Sequence, residues 1–419
     1  MRVNGTGARR RGDACPYRHV LASETPDLHA DNDRLRAAGP LVPVVMVGGV
    51  RAWAATRYST LQQILTHPAI SKDITHWADY MAGRVPPDWP LLNIVAARSL
   101  ITAEGEAHNR LRGLVSRAFT PRRVHNLEPR ISELTLELLD DLAEHPPGEP
   151  VDVRAEFAYP LPRNVICELV GMPREWRAEM DELSDTLFRV TDDQACSDAR
   201  MEGLHKLFRR VIELRRREPG DDLTSALIAA RDEDGDRLTE EELYDTVMTM
   251  FIAGHETTVN LITNAIRALL AHPDQLALLR DGKLPWSAAV EETLRWDSPV
   301  AHFPMRYVLE DVEIDGVRLS AGDAVLSCYA AVGRDPDQFG EDAARFDVTR
   351  DTPSHLSFGH GPHFCVGAAL ARTEAELGLA ALFTAFPDMT PAVPLTSLRP
   401  LSTVLSNSVR TLPVYLTRP

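Results

Sequence analysis

Long apolar runs, cysteine and positive charge are all scarce in this 419-residue chain. The best apolar run, Leu41 to Val50, already contains Pro43 and two glycines. That falls short of the roughly 18–20 apolar residues a membrane helix needs, which excludes a spanning helix. The five cysteines, Cys15, Cys167, Cys196, Cys328 and Cys365, are odd in number and widely spaced, which excludes a disulfide framework. Lys plus Arg is 45 against 61 for Asp plus Glu, a formal charge of −16. Bulk charge of that sign argues against nucleic acid or anionic lipid as partners. What remains, 44% hydrophobic and 25% charged residues, is the composition of a globular protein. Arg9 to Arg11 are followed by no apolar segment, so residues 1–15 read as a flexible basic tail and the protein as cytoplasmic.

Helical periodicity dominates. Leu28 to Ala38, Tyr58 to Thr66, Ala107 to Ala118, Ser132 to Glu144, Leu161 to Val170, Arg174 to Arg189, Gly203 to Arg217 and Leu223 to Ala230 all read as helices. Thr239 and Glu242 form a capping box that opens a long helix, stopped at His272-Pro273. About 33 residues at 1.5 Å each would span roughly 50 Å, the width of a domain. Ser287 to Trp296 and Val366 to Phe386 are further helices. β-rich parts are expected near 44–57, where Gly48-Gly49 turns a hairpin, near 312–331, with strands Val312 to Leu319 and Ala324 to Ala331, and near 400–416. The fold class is therefore mainly α with a minor β region. Ile74 to Leu100 is irregular and carries Trp77, Met81, Trp89 and Leu92, which suggests a binding loop or a loop packed on the core.

Chemistry concentrates around Cys365. Ser357 to Arg372 reads SFGHGPHFCVGAALAR. Cys365 stands just before a helix, whose free N–H groups favour a thiolate. Gly359, Gly361 and Gly367 let backbone approach a flat, bulky partner. One thiolate facing a planar group suits a haem iron with a cysteine ligand. A zinc site from His360, His363 and Cys365, or a nucleophilic cysteine beside His363, remain alternatives.

A second cluster lies in the middle of the long helix, where residues 253–258 read AGHETT. The Thr257 hydroxyl can bond back to the carbonyl of Ala253, beside Gly254. That would open the helix locally, with Thr257 and Glu256 lining the opening, or it would be a packing kink. His255-Glu256 begins a zinc motif that fails at Val259. Glu292 and Arg295 are spaced i, i+3 on an apolar helix and read as a buried pair. His108, Arg112, Arg306 and His363 are candidates to neutralise an anionic cofactor such as haem with its two propionates.

Together these segments resemble the cytochrome P-450 superfamily. FGHGPHFCVG matches its haem-ligand signature, AGHETT its oxygen-binding segment and EETLR its E-x-x-R, in the family's order. The resemblance runs from about Pro16 to the C-terminus and is nearest to soluble actinobacterial enzymes acting on steroids and polyketides. It implies that residues 16–419 form a single haem-thiolate monooxygenase domain with a long central helix over haem b. Cys365 would be the axial ligand, with Phe358, Gly359, Gly367, Ala253 and Gly254 against the haem. Glu256 and Thr257 would deliver protons as O2 is reduced. His108, Arg112, Arg306 and His363 would hold the propionates. Glu292 and Arg295 would brace the core together with Arg345 or Arg350. Ala369 stands where relatives often carry proline.

No dinucleotide-binding glycine motif is present. Electrons are therefore expected from NAD(P)H through a separate ferredoxin and ferredoxin reductase, docking at a basic run of Arg110, Arg112, Arg117, Arg122 and Arg123. The distal pocket is expected to be walled by Trp77, Met81, Trp89, Leu92, Phe188, Met248, Val300, Phe303 and Leu405, around an apolar, medium-to-large substrate. The expected reaction is insertion of one oxygen atom by a monomeric enzyme. Oxidative carbon–carbon or aryl coupling is the alternative reaction, and a haem sensor the alternative class.

Overall fold

The computed structural model describes residues 19–22, 25–97, 99–184, 194–231, 235, 237–351 and 354–416. The basic tail, the end of the Arg174 to Arg189 segment and Phe188 lie outside the described residues. Helices carry the architecture, and among the described residues three small sheets complete it. No helix among the described residues is long and apolar enough to cross a membrane.

The central helix runs unbroken over Glu240–Ala271. Its start is fixed as the sequence predicts. The Thr239 hydroxyl accepts from the Glu242 amide at 3.2 Å, and the Glu242 carboxylate accepts from the Thr239 amide at 2.9 Å, which satisfies two orphan donors at once. Residues 258–266 are all buried, so helices pack on this segment from several sides. Pro160–Leu169 crosses it at Gly254, where a Cβ would come within 2.8 Å of Ile166 Cδ1. The missing side chain there is a packing requirement. The helix Ala368–Ala385, which follows Cys365, packs against both the central helix and the long helix Pro121–Ala143.

The main sheet has six strands in the order His19–Val20, Leu41–Val45, Arg51–Ala55, Ala324–Ser327, Phe303–Val308, Ile70–Ser71. The predicted hairpin is its second and third strands, paired antiparallel with Leu41 opposite Ala55. Three expectations are corrected. The strand from Ala324 stops at Ser327, and Tyr329–Val332 is a helical turn. The helix expected from Ser132 begins at Pro121, because Thr120 caps it and it tolerates Pro129. The 400–416 region contains one strand, Pro413–Tyr415, together with the bridges Val300↔Ser406 and Pro400↔Val409. Phe303–Val308, seen in the sequence only as an extended stretch, is a strand with a register shift between Phe303 and Arg306. That irregularity sits at the edge of the cavity described below.

A buried carboxylate ties the central helix to the helix Leu28–Ala38 and to the C-terminal segment. Asp297, fully buried, is bonded by His29 Nε2 at 2.8 Å, Asn407 Nδ2 at 2.8 Å and the Arg267 guanidinium. Burial alone would raise its pKa, but Arg267, His29 and Arg334 outweigh it and hold the carboxyl far below its usual range.

Candidate functional site

One cavity collects most of the chemistry-bearing residues. Cys365, Phe358, Gly359, His363 and Gly367 come from the segment before the Ala368–Ala385 helix, and Ala253, Gly254 and Thr257 from the central helix. His108 and Arg112 come from the Gly105–Ala118 helix, and Arg306, Val300 and Phe303 from the strand and the segment leading into it.

The loop that presents Cys365 is shaped by two glycines in the left-handed region, Gly359 at φ 75° and Gly361 at φ 73°. At Gly361 a Cβ would also collide with Thr66 Cγ2 at 2.5 Å. The Cys365 amide donates to Phe358 O at 2.9 Å, which closes the loop, and Arg372 lies over the Phe358 ring with its guanidinium carbon 4.5 Å from the centroid. The helix start behaves as expected in kind: Gly367 and Ala368 amides bond the sulfur, and Arg112 and Arg372 lie near it. Burial within the surrounding loop acts against these groups and pushes the thiol up. The zinc alternative finds no support, since no group of three His, Cys, Asp or Glu among the described residues could hold an ion.

On the central helix, the cavity-facing residues Met250, Ala253, Gly254, Thr257, Thr258 and Leu261 recur at helical spacing. The Thr257 hydroxyl donates to Ala253 O at 2.7 Å, the predicted back-bond. Glu256 is out of phase with this stripe. It is absent from the cavity wall, buried, and paired with the Arg154 guanidinium at 3.5 Å. Arg154 in turn bonds Asn260 Oδ1 at 3.0 Å, Thr263 Oγ1 at 3.1 Å and Ser408 Oγ at 3.4 Å. The expected opening lined by both a hydroxyl and a carboxylate is thus corrected. The helix is continuous, the hydroxyl faces the cavity, and the carboxylate faces a buried polar network. Sequence gave no pointer to Arg154, a single arginine in a largely apolar segment.

Basic side chains crowd one part of the wall. The His108 and His363 rings lie 4.2 Å apart, and the Nε2 atoms of both are buried without a hydrogen-bond partner. His363 Nε2 is 3.6 Å from Glu104 Oε1. Burial lowers the pKa of Arg112 and of Arg306, each only partly offset by neighbouring groups. Two guanidiniums without a full counter-charge, beside the unpartnered Nε2 of His108, call for an anion. A haem with two propionates fits that donor set, with Cys365 on the same wall. Lys72 also lines this cavity. Sequence reasoning missed it, because one lysine after a two-residue strand carries no pattern.

The Glu292–Arg295 pair is buried and bidentate, with both bonds at 2.7 Å. Arg295 also donates to Gly333 O at 2.8 Å, Ala343 O at 2.7 Å and Arg345 O at 2.8 Å. The choice between the two arginines resolves into a division of labour. The Arg350 side chain approaches Glu292 at 3.5 Å, and Arg345 contributes its carbonyl.

The expected pocket wall is largely corrected. Val300 and Phe303 line the cavity, but Trp77, Met81, Trp89, Leu92, Met248 and Leu405 do not. Trp77 stacks on Tyr307 at 5.5 Å and meets Trp89 edge-on at 5.7 Å, inside a second hydrophobic core that Leu92 and Leu405 cover. Met81 is 64% exposed, and Met248 points into the main core. The irregular segment was apolar because it closes a core. The wall is instead built by Leu100, Ile101, Ile166, Thr249, Met250 and Pro299. The basic run is also mostly committed within the chain. Arg112 faces the cavity, Arg110 pairs with Glu242, Arg117 donates to Arg231 O and Arg123 pairs with Asp221. Arg122 is exposed.

Comparison with known proteins agrees with this geometry. The cytochrome P450 family profile matches residues 175–281 and 286–404. The 2-hydroxy-5-methyl-1-naphthoate 7-hydroxylase of Streptomyces carzinostaticus is 40% identical over 403 residues, 96% of this chain and 98% of that protein. The vitamin D(3) 25-hydroxylase of Pseudonocardia autotrophica is 41% identical over 384 residues, 91% of this chain and 92% of that protein. The solved structure of CYP154C4 from Streptomyces sp. ATCC 11861 superposes with a TM-score of 0.92 at 43% identity, covering 96% of this chain and 98% of that one. A loop cysteine, a back-bonded threonine and two arginines on one cavity agree with these matches, which establish that the chain belongs to the cytochrome P450 family of oxidoreductases.

Proposed function

We propose that this enzyme inserts one atom of O2 into a largely apolar natural-product or steroid-like substrate, taking electrons from a ferredoxin reduced by NAD(P)H through a ferredoxin reductase. The observation that carries this reading is the placement of Cys365 and the Thr257 hydroxyl on one mainly apolar cavity with Arg112 and Arg306 on its wall. Cys365 would bind the haem iron, and His108, Arg112, Arg306 and His363 would hold the propionates. Bound there, haem with a thiolate ligand supplies O2 activation and O–O cleavage.

The chain's own residues do the rest. Leu100, Ile101, Ile166, Val300 and Phe303 would exclude water and hold the substrate's apolar surface. Thr257 would hold a proton donor's place at the cavity through its hydroxyl, whose own hydrogen is engaged by Ala253 O, leaving its oxygen free to accept from water. Glu256, which Arg154 holds in the buried polar network off the cavity wall, would pass protons toward Thr257 only after leaving that partner. The substrate range of the relatives, a naphthoate and vitamin D(3), supports a medium-to-large, mainly apolar substrate. The reading places the enzyme in the cytoplasm as a single catalytic domain acting as a monomer.

The test is Thr257→Ala with a surrogate ferredoxin and reductase, after a screen of steroids, macrolides and naphthoates for a spin-state shift. NADH consumption should continue while product falls and hydrogen peroxide rises. Unchanged coupling of NADH to product would remove Thr257 from proton delivery.

A further inference from the structure

A second cavity, of about 140 Å³, lies behind the wall of the first. Pro299, Val300 and Phe303 line the first cavity, while Ala301 and His302, between them in the chain, line the second. The helix Leu28–Ala38 contributes His29 and Asn32 to the same cavity. Both histidine rings are oriented by a bond from one nitrogen. His302 Nδ1 donates to Val404 O at 2.8 Å, and His29 Nε2 donates to Asp297 Oδ1 at 2.8 Å. Burial lowers the pKa of each ring, which keeps both neutral at neutral pH. A neutral ring that donates from one nitrogen accepts at the other. Those acceptors, His302 Nε2 and His29 Nδ1, are buried and have no hydrogen-bond partner among the described residues. Asn32 is 1% exposed, and neither its Nδ2 nor its Oδ1 has a partner there either.

Four orphaned polar atoms on one cavity carry a cost that an occupant would remove. The two imidazole acceptors need two donors, and Asn32 Nδ2 needs an acceptor. A vicinal diol meets all of them, since each hydroxyl donates once and accepts as well. Leu21, Leu401 and Val409 line the same cavity and offer a hydrocarbon surface. A cavity of roughly 150 Å³ accommodates a six-carbon ring. Ala22, Pro26 and Asp27 on its wall are exposed, which leaves a way in from solvent. We propose that this second chamber binds a small neutral diol, whose hydroxyls donate to His29 Nδ1 and His302 Nε2 and accept from Asn32 Nδ2, with its hydrocarbon part on Leu21, Leu401 and Val409. None of these residues lines the first cavity, so the chamber is independent of the oxygen-insertion chemistry.

The haem-loaded enzyme, its first cavity blocked with clotrimazole, is titrated calorimetrically with cis-1,2-cyclopentanediol and with cyclopentanone, a ring of the same size that can only accept. Saturable one-to-one binding of the diol is expected, with the ketone weaker by roughly tenfold or more, the scale of one buried acceptor left unpaired. Asn32→Leu should fold at least as stably as the wild type, because it removes an unpaired buried amide, and should weaken the diol by roughly tenfold or more. His302→Phe should weaken it on the same scale, and either variant decides the question if the other does not fold. Diol binding that survives the substitutions would put the diol elsewhere on the protein and overturn the assignment. A wild type that binds no diol saturably would mean that the chamber holds water only, which overturns it equally. A ketone that binds as tightly as the diol would do the same, since the two imidazole acceptors would then select nothing.

Discussion

Arg295 offers the sharpest test of how this scaffold is held together. All five of its N–H donors are used: Nε and one Nη2 hydrogen on Glu292, both Nη1 hydrogens on Gly333 O and Ala343 O, and the other Nη2 hydrogen on Arg345 O. Arg295→Met keeps the volume and removes every one. It leaves Glu292, 1% exposed, with the Asp347 amide at 2.7 Å and Arg350 at 3.5 Å as its remaining support. Breaking a buried pair by removing one partner costs about 3–5 kcal/mol. The three orphaned carbonyls set the upper part of that range, since water and local relaxation recover some of their loss. At about 2.1 cal/mol/K per residue, a chain of this length melts with an entropy near 0.9 kcal/mol/K, so Tm should fall by roughly 3–6 °C. Far-UV circular dichroism on the haem-loaded protein reads this directly. The double variant Glu292→Leu/Arg295→Met should recover part of the loss, because no unpaired carboxylate stays buried. A single variant melting within about 1 °C of the wild type would refute the reasoning.

Two further outcomes follow from the same coordinates. Gly333→Ala places a Cβ 1.9 Å from the Arg295 carbonyl oxygen, a backbone atom that cannot swing away; soluble yield and Tm should drop at least as far as in Arg295→Met, and a wild-type melting curve would contradict the packing described. His255 is buried, and burial first, then Arg163 and Arg154, lower its pKa to about 3. Unfolded chains take up this proton near pH 6.5, so His255 contributes stability above that pH which is lost progressively as pH falls toward 3. His255→Gln should flatten the acid slope of Tm against pH, and an unaltered slope would remove His255 from the acid sensitivity.

The sequence made some of this legible and hid the rest for physical reasons. Local signals worked where the chain decides locally. The Thr239 capping box, the His272-Pro273 stop and the Gly48-Gly49 turn fixed their elements to the residue or nearly so. Short-range motifs also brought Cys365, Thr257 and Gly359 to one cavity, because each sits on a loop or helix stripe whose geometry its own neighbours set. Partners distant in sequence were not visible. Arg154 meets Glu256 across 102 positions, and nothing near Arg154 announces it. The wall assignments failed for a different reason. Trp77 and Trp89 look like ligand-contacting aromatics, yet a second core needs the same residue types. On the central helix, a choice between Met248 and Met250 turns on helical phase, which apolar composition leaves undetermined when the helix is buried on most sides.

The claim that everything else depends on is a haem bound through the sulfur of Cys365. The direct measurement is the absorption difference between the ferrous protein with and without carbon monoxide, for the wild type and for Cys365→Ser. The account predicts the strongly red-shifted band of a thiolate-ligated haem in the wild type and its loss in the serine variant. A band that survives the substitution, or a wild type that never shows one despite ample haem, would contradict it.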